Sequence, residues 1–296
     1  MELRVLKYFL MVAREENITK AAEKLYITQP TLSRQLSQLE DELGVKLFQR
    51  GQHGIALTED GMLLRRRALE IVELFDKTER ELSHAEDVLS GEIAIGSGET
   101  KNIQALACTM AEFRKEHPDV TFDIYTATAD DIKERLERGL VDVGVLVEPV
   151  DISQYNFLRL PGKEKAGVLV RTDSPLAEKE VICPEDLVGV PLLMVKRPYL
   201  RNEMSNWLGE YYDQMEIACT YNLIYNAAIM VKNHMGVALC IELESHFDDL
   251  CFRPLYPARE IGNVLVWKKE QALPAATRAF IDYVKKCLRG ISDDNK

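Results

Sequence analysis

The first 43 residues place apolar side chains at helical intervals. Leu3, Leu6, Leu10 and Ala13 recur every three or four positions, which puts them on one face of a helix. Asn17 and Thr19 are caps for a second helix, in which Ile18, Ala22 and Leu25 share a face. Thr28 suits the N-cap of a third. Pro30 falls in its first turn, where the missing N–H costs nothing, and Ile27 and Leu32 have the spacing of a hydrophobic staple. The core face of this helix runs through Leu32, Leu36, Leu39 and Leu43, and Gly44 ends it. In residues 45–57 the runs VKLFQR and IALT flank GQHG, the pattern of a short β-hairpin.

From Thr58 to Leu89 a single long helix is predicted, capped by Thr58, with Glu59 and Asp60 in its first turn, where acids suit the helix dipole. Positions 61, 64, 68, 71, 75, 78, 82, 85 and 89 are Gly, Leu, Ala, Ile, Phe, Thr, Leu, Ala and Leu. A seam this long needs a partner helix, either from a second chain or from the helix's own domain. After Gly91 the pattern changes to strands, EIAIGS, VTFDIY, VDVGVLV, AGVLVR, VPLLMV, GVALCI and NVLVW, with helical runs between several of them. That alternation predicts an α/β domain with parallel-rich sheets.

The chain's 296 residues exceed the usual single domain, and 46% apolar with 29% charged residues is ordinary for a globular protein. No secretory signal is read in MELRVLKYFL and no run approaches a membrane span, so a cytoplasmic location is expected. The six cysteines, at 108, 183, 219, 240, 251 and 287, form no CxxC pair, no His pair has zinc spacing, and reduced thiols are expected. No metal or cofactor is implied. The net charge of -11 is uneven: residues 1–67 hold 11 Lys/Arg against 9 Asp/Glu, residues 68–90 hold 2 against 7, and residues 91–296 hold 24 against 32. Only the N-terminal part escapes the acidic balance, a weak nucleic-acid signal. GxSxG, P-loop, HExxH and GxGxxG motifs are all absent, and the histidines at 53, 84, 117, 234 and 246 are scattered, which argues against an enzyme. An exported solute-binding protein would require a signal peptide.

The outward face of the third helix carries Gln29, Pro30, Ser33, Arg34, Ser37 and Gln38. Arg grips guanine bidentately, Gln does the same to adenine, and Ser fits either, so this face suits a major groove. The segments FLMVA, NITKAAEKL, ITQPTLSRQLSQLEDELGVKLFQR and ALTEDG lie between Phe9 and Gly61 without a gap in the pattern. In these the chain closely resembles the N-terminal region of LysR-type transcriptional regulators. The resemblance implies a winged helix-turn-helix over 1–58, a dimerising linker helix over 59–90, and an effector-binding domain over 91–296. It assigns base contacts to Gln29, Pro30, Ser33 and Arg34, phosphate support to Thr31 and Gln35, and wing contacts to Arg50 and His53. Arg65, Arg66 and Arg67 form a basic run early in the linker, read either as a solvated face or as phosphate ligands beside the wing.

Over the remainder the resemblance is one of pattern. It implies two α/β lobes like those of periplasmic binding proteins, lobe one over about 91–161 and 267–296 and lobe two over about 162–266, with crossings near Pro161–Lys163 and Asn263–Trp267. Ligands of open α/β sheets bind beyond the carboxyl ends of strands. Here those ends carry Ser97, Glu99, Thr100, Thr126, Thr128 and Glu148 from lobe one, and Met194, Lys196, Arg197, Thr220 and Asn222 from lobe two. Hydroxyls, helix N-termini and the Lys196–Arg197 pair favour an anionic effector, whereas Glu99 and Glu148 would suit a neutral or amino-bearing one. The partners implied are promoter DNA, a small-molecule effector, RNA polymerase, and a second copy of the chain as homodimer or homotetramer.

Overall fold

The computed structural model describes residues 1–51, 54–82, 89–243 and 247–293. The chain forms two compact units, residues 1–83 and 84–296.

The first unit contains α1 (Leu3–Glu15), α2 (Ile18–Lys24), α3 (Gln29–Leu43), β1 (Phe48–Gly51), β2 (Gly54–Leu57) and α4 (Glu59–Leu82). Its core gathers Val5, Leu6, Phe9 and Val12 of α1 with Ala21 and Ala22 of α2, Leu32, Leu36 and Leu39 of α3, Leu47 and Ala68. The buried stripe of α1 is thus turned from the expected Leu3–Leu6–Leu10–Ala13 face. Both stripes satisfy helical spacing, and the one carrying the large Phe9 ring lies inside, 5.3 Å from the Phe48 ring. Leu43, expected in the core, is 40% exposed. Asn17 caps α2 by accepting from Lys20 N at 3.0 Å. Thr28 stands at the N-cap of α3 without a side-chain bond to the helix, and its hydroxyl pairs with that of Thr31 at 2.8 Å. Gly44, at φ +70°, closes α3 in the left-handed region that favours glycine.

The start of α4 is locked to the hairpin. Thr58 Oγ1 donates to Lys46 O at 2.6 Å and accepts from Gly61 N at 3.0 Å. At Gly61 a Cβ would meet Leu47 O at 2.1 Å, so only glycine permits this approach. The linker seam divides accordingly. Gly61, Leu64 and Ala68 turn into the helix's own domain, whereas Ile71 and Phe75 are each 41% exposed. Ala85 and the Leu82 side chain lie outside the described residues.

The second unit is built on two mixed sheets. The first is ordered β4-β3-β5-β13-β6, with β3 (Gly91–Ser97), β4 (Val120–Thr126), β5 (Val143–Val147), β6 (Tyr155–Arg159) and β13 (Asn263–Lys268). β3 runs parallel to β4 and β5; β13 is antiparallel to β5 and β6. On one face α5 (Ile103–Glu116) and α9 (Ala275–Asp293) cover a core containing Phe113 and Phe280, and on the other α6 (Ala129–Glu137) buries Ile132 and Leu136. The second sheet is ordered β11-β7-β10-β8-β9, with β7 (Glu164–Arg171), β8 (Leu192–Val195), β9 (Ile217–Tyr221), β10 (Val237–Ile241) and β11 (Leu250–Pro254), while β12 (Glu260–Ile261) pairs with the start of β7. α7 (Pro198–Leu208) and α8 (Ile224–Lys232) pack on this lobe. Strands β6, β9, β11 and β12 were not anticipated from the apolar pattern; β6 and β9 bury few of their residues.

The chain passes from lobe one to lobe two through 160–163 and returns at Gly262. The return comes earlier than the expected Asn263–Trp267, because all of β13 pairs inside the first sheet: Asn263 is opposite Val147 and Lys268 opposite Tyr155. Residues 263–266 therefore belong to lobe one. The two passages lie side by side, with Leu160 N donating to Asn263 O at 2.9 Å.

Candidate functional site

Helix α3 presents one face to its core and the other to solvent, as a reading helix must. Gln29, Pro30, Thr31 and Arg34 are exposed and Ser33 and Gln35 half-buried, while Leu32, Leu36 and Leu39 are buried. With Thr28 bonded to Thr31, the first N–H groups of α3 have no side-chain cap and are free to meet an anion. Arg50 lies in β1 opposite Ile55, with its side chain outside the description; His53 lies outside the described residues.

The orientation of α3 toward the hairpin rests on Glu40. This nearly buried carboxylate accepts from Leu47 N at 2.8 Å, Phe48 N at 3.3 Å and Lys46 Nζ at 2.6 Å. Burial works to raise its pKa, but the Lys46 ammonium and the two backbone N–H groups outweigh burial and hold the carboxyl below the usual value. Glu40 was not singled out from the sequence; its signal is an acid in the last turn of α3, eight residues before the first residue of β1.

In the second unit a single cleft between the lobes gathers about half of the expected effector residues. Glu99, Thr128, Met194, Arg197 and Asn222 line it. The other six do not, Thr126 among them, exposed at the end of β4. Ser97 is buried and donates to Gly98 O at 2.9 Å. Thr100 is buried and donates to Glu164. Glu148 holds Arg159 at 3.0 Å. Lys196 and Thr220 are exposed away from the lining. Most of the wall is apolar and was not read from the sequence, including Ala127, Val147, Met204, Leu239 and Ile261. These residues come from several strands and helices, so no local pattern marks them. Tyr221 and Cys240 also line the wall. Tyr221 spends its hydroxyl on Leu239 O at 2.6 Å, and burial pushes the Cys240 thiol up to about 12, so it stays a protonated, unreactive thiol.

The polar groups of the cleft differ in how far they are satisfied. Thr128 caps α6, donating to Asp131 Oδ2 at 2.6 Å, so its hydroxyl is in use. Arg197 is 5% exposed and reaches across to lobe one, donating to Val147 O at 3.3 Å and Pro149 O at 3.1 Å. Its Nε has no hydrogen-bond partner; the nearest carboxylate, Asp130, is 3.9 Å away. Burial pulls the guanidinium below its usual pKa and Asp130 offsets this only in part. A buried cation so incompletely matched favours an anion beside it.

Residues 3–62 match the family described as "Bacterial regulatory helix-turn-helix protein, lysR family", and residues 86–289 match "LysR substrate binding domain". The chain is 36% identical over 300 residues to the Bacillus subtilis regulator BsdA, covering 95% of this chain and 99% of BsdA. It is 30% identical over 300 residues to the Escherichia coli Hca operon transcriptional activator HcaR, covering 99% and 100%. Full-length CbnR complexed with its target DNA shares the fold at a TM-score of 0.74 and 23% identity, over 97% of this chain and 99% of that one. The chain therefore belongs to the LysR family: it is a DNA-binding transcriptional regulator with an effector-binding domain, and the relatives named here are regulators rather than enzymes. Among the described residues no helix is long and apolar enough to cross a membrane.

The Glu40 clasp yields a pH prediction. Its folded pKa is depressed, so its stabilisation is fully present above the unfolded value near 4.5 and is lost as pH falls through the lower folded value. Glu40→Ala leaves two backbone donors unpaired and is expected to cost about 2 kcal/mol at pH 7. Calorimetric unfolding of the N-terminal unit should show this loss at pH 7 and a smaller one near pH 3. An equal loss at both values would mean the charge of Glu40 has no part in holding the hairpin.

Proposed function

We propose that the inter-lobe cleft receives a small molecule with an apolar body and one anionic group, and that its occupancy sets promoter activity through a dimer of this chain in the cytoplasm. Arg197, whose buried Nε lacks a hydrogen-bond partner in a mostly apolar cleft, carries the effector reading. In this reading Gln29, Pro30, Ser33 and Arg34 touch bases, Thr31 and Gln35 support phosphate contacts, Arg50 and His53 on the wing touch the flanking minor groove or phosphates, and RNA polymerase responds at the promoter. The exposed Met62, Leu63, Leu69, Ile71, Leu74 and Phe75 of α4 support pairing with a second linker helix, and two such dimers would make a tetramer. A two-fold dimer expects a symmetric operator.

Arg34→Ala is expected to weaken operator binding by about 1–3 kcal/mol, with a smaller loss on non-specific DNA. Equal losses on both, measured by mobility shift at one salt concentration, would reassign Arg34 to a phosphate. Ile71→Lys combined with Phe75→Lys should leave the effector domains folded, halve the mass in sedimentation, and abolish tight operator binding; an unchanged mass would take these residues out of the interface. For the cleft, a metabolite panel screened by thermal shift should yield a stabilising carboxylate. Calorimetry should find that carboxylate bound roughly tenfold or more weakly by Arg197→Met. Equal affinity in a folded variant would remove the anion from Arg197.

A further inference from the structure

One hydrogen bond across the cleft has the form of a bound ligand. Glu99 leaves the end of β3 in lobe one, and its Oε2 accepts from the backbone N–H of Ile224, the first residue of α8 in lobe two. Helix α8 supplies no cap of its own: Leu223 stands at the N-cap, and no acid occupies the first turn. Asn222, just upstream, turns its Oδ1 to Leu223 N at 3.0 Å instead. The positive end of α8 is thus satisfied by a carboxylate from the opposite lobe. The opposite case stands at α6, where Thr128 caps from within the helix and Asp130 and Asp131 fill the first turn. Of these two helix ends on the cleft, only that of α8 depends on a distant residue.

A second observation points to a ligand in the same cleft. The cleft that contains Glu99 and Ile224 also contains Arg197, whose buried Nε lacks a hydrogen-bond partner. We propose that the Glu99 carboxylate is a tethered stand-in for the effector: it fills the anion position at the N-terminus of α8, and a carboxylate-bearing molecule entering the cleft replaces it there and frees lobe one from that contact. The Ile224 N–H can serve only one carboxylate well, and two carboxylates brought together in an apolar cleft repel each other. The entering anion therefore gains the helix end only when Glu99 leaves. This selects against neutral molecules of the same shape, which cannot displace a charge-assisted bond.

The lobes do not rely on Glu99 alone. Lys101 pairs with Glu242 across the cleft at 2.9 Å, and Arg197 holds two lobe-one carbonyls. Removing the Glu99 carboxylate is therefore expected to release α8 locally without unfolding the domain.

The inference rests on reading the cleft as the effector site, and its test is amide hydrogen exchange on the full-length chain. In Glu99→Ala, the segment holding the first turn of α8, residues 223–228, should exchange roughly tenfold faster than in wild type, while the far end of β4 stays unchanged. Acetate, the smallest carboxylate, is then titrated into the variant. It should restore protection at residues 223–228, whereas chloride at the same ionic strength should not, and wild type should respond only at far higher acetate. Unchanged exchange in Glu99→Ala would overturn the latch, and so would rescue by chloride equal to that by acetate. Faster exchange without rescue by acetate would overturn the anion position. Glu99→Gln separates charge from shape and should fall between wild type and Glu99→Ala. A metabolite panel without a carboxylate hit would defeat the effector reading while leaving the exchange result standing, so the two failures are distinguishable.

Discussion

Where the chain passes between the lobes, a single carboxylate is held almost entirely out of water. Glu164, 2% exposed, opens β7 just after the first passage, and its Oε1 accepts from the Thr100 hydroxyl, from Asn102 N at 3.4 Å and from Asn263 Nδ2 at 3.1 Å. A carboxylate this deep persists only with donors in place. Those donors come from the loop before α5 and from the first residue of β13, the strand that follows the second passage. One side chain therefore fastens both passages and the start of a lobe-one helix to a single point. Both passages between the lobes are tied together at that point.

The loop that supplies the hinge also supplies the latch. In five residues, Gly98 and Glu99 line the cleft, Glu99 holds α8, Thr100 holds Glu164, Lys101 holds Glu242, and Asn102 donates to Glu164. Neighbouring side chains along this stretch reach different parts of the molecule: lobe two on one side, the hinge on the other. Moving Glu99 out of its bond therefore acts on the same short loop that donates to Glu164. Glu164 Oε2 and Asn263 Oδ1 at this point are buried without a hydrogen-bond partner.

The helix-turn-helix was largely legible because its signals are local: Asn17 caps α2, Pro30 and Gly44 bracket α3, and Gly51 and Gly54 close the inner ends of the hairpin strands. The linker was read less well, since a spacing of three and four states that a face is buried and not what buries it. Leu64 and Ala68 pack into the core of α4's own domain, Ile71 and Phe75 stay exposed, and nothing in the heptads separates the pairs. At the cleft, strand-end reasoning found Glu99, Thr128, Met194, Arg197 and Asn222 because backbone topology fixes where strands end. It could not choose between Lys196 and Arg197, adjacent residues of like charge, of which only the second turns inward. The apolar wall was illegible for a different reason: Leu239 and Ile261 become neighbours of Ala127 only once both passages have folded.

For a signal to follow, the effector must bind one lobe arrangement better than the other; equal affinity for both shifts nothing however tight the binding. The cleft contains a source of that difference. With Glu99 on Ile224 N, the helix end of α8 is occupied and only Arg197 remains for an anion; with Glu99 displaced, both are available. The displaced arrangement therefore offers a carboxylate one more charge-assisted contact, at the cost of releasing Glu99 to solvent, where a half-exposed acid near the protein surface is readily hydrated. A ligand lacking the anion gains nothing from that exchange and is indifferent to the state of the latch. Selectivity and switching thus come from the same bond: the group that identifies the effector is the group that changes the lobes.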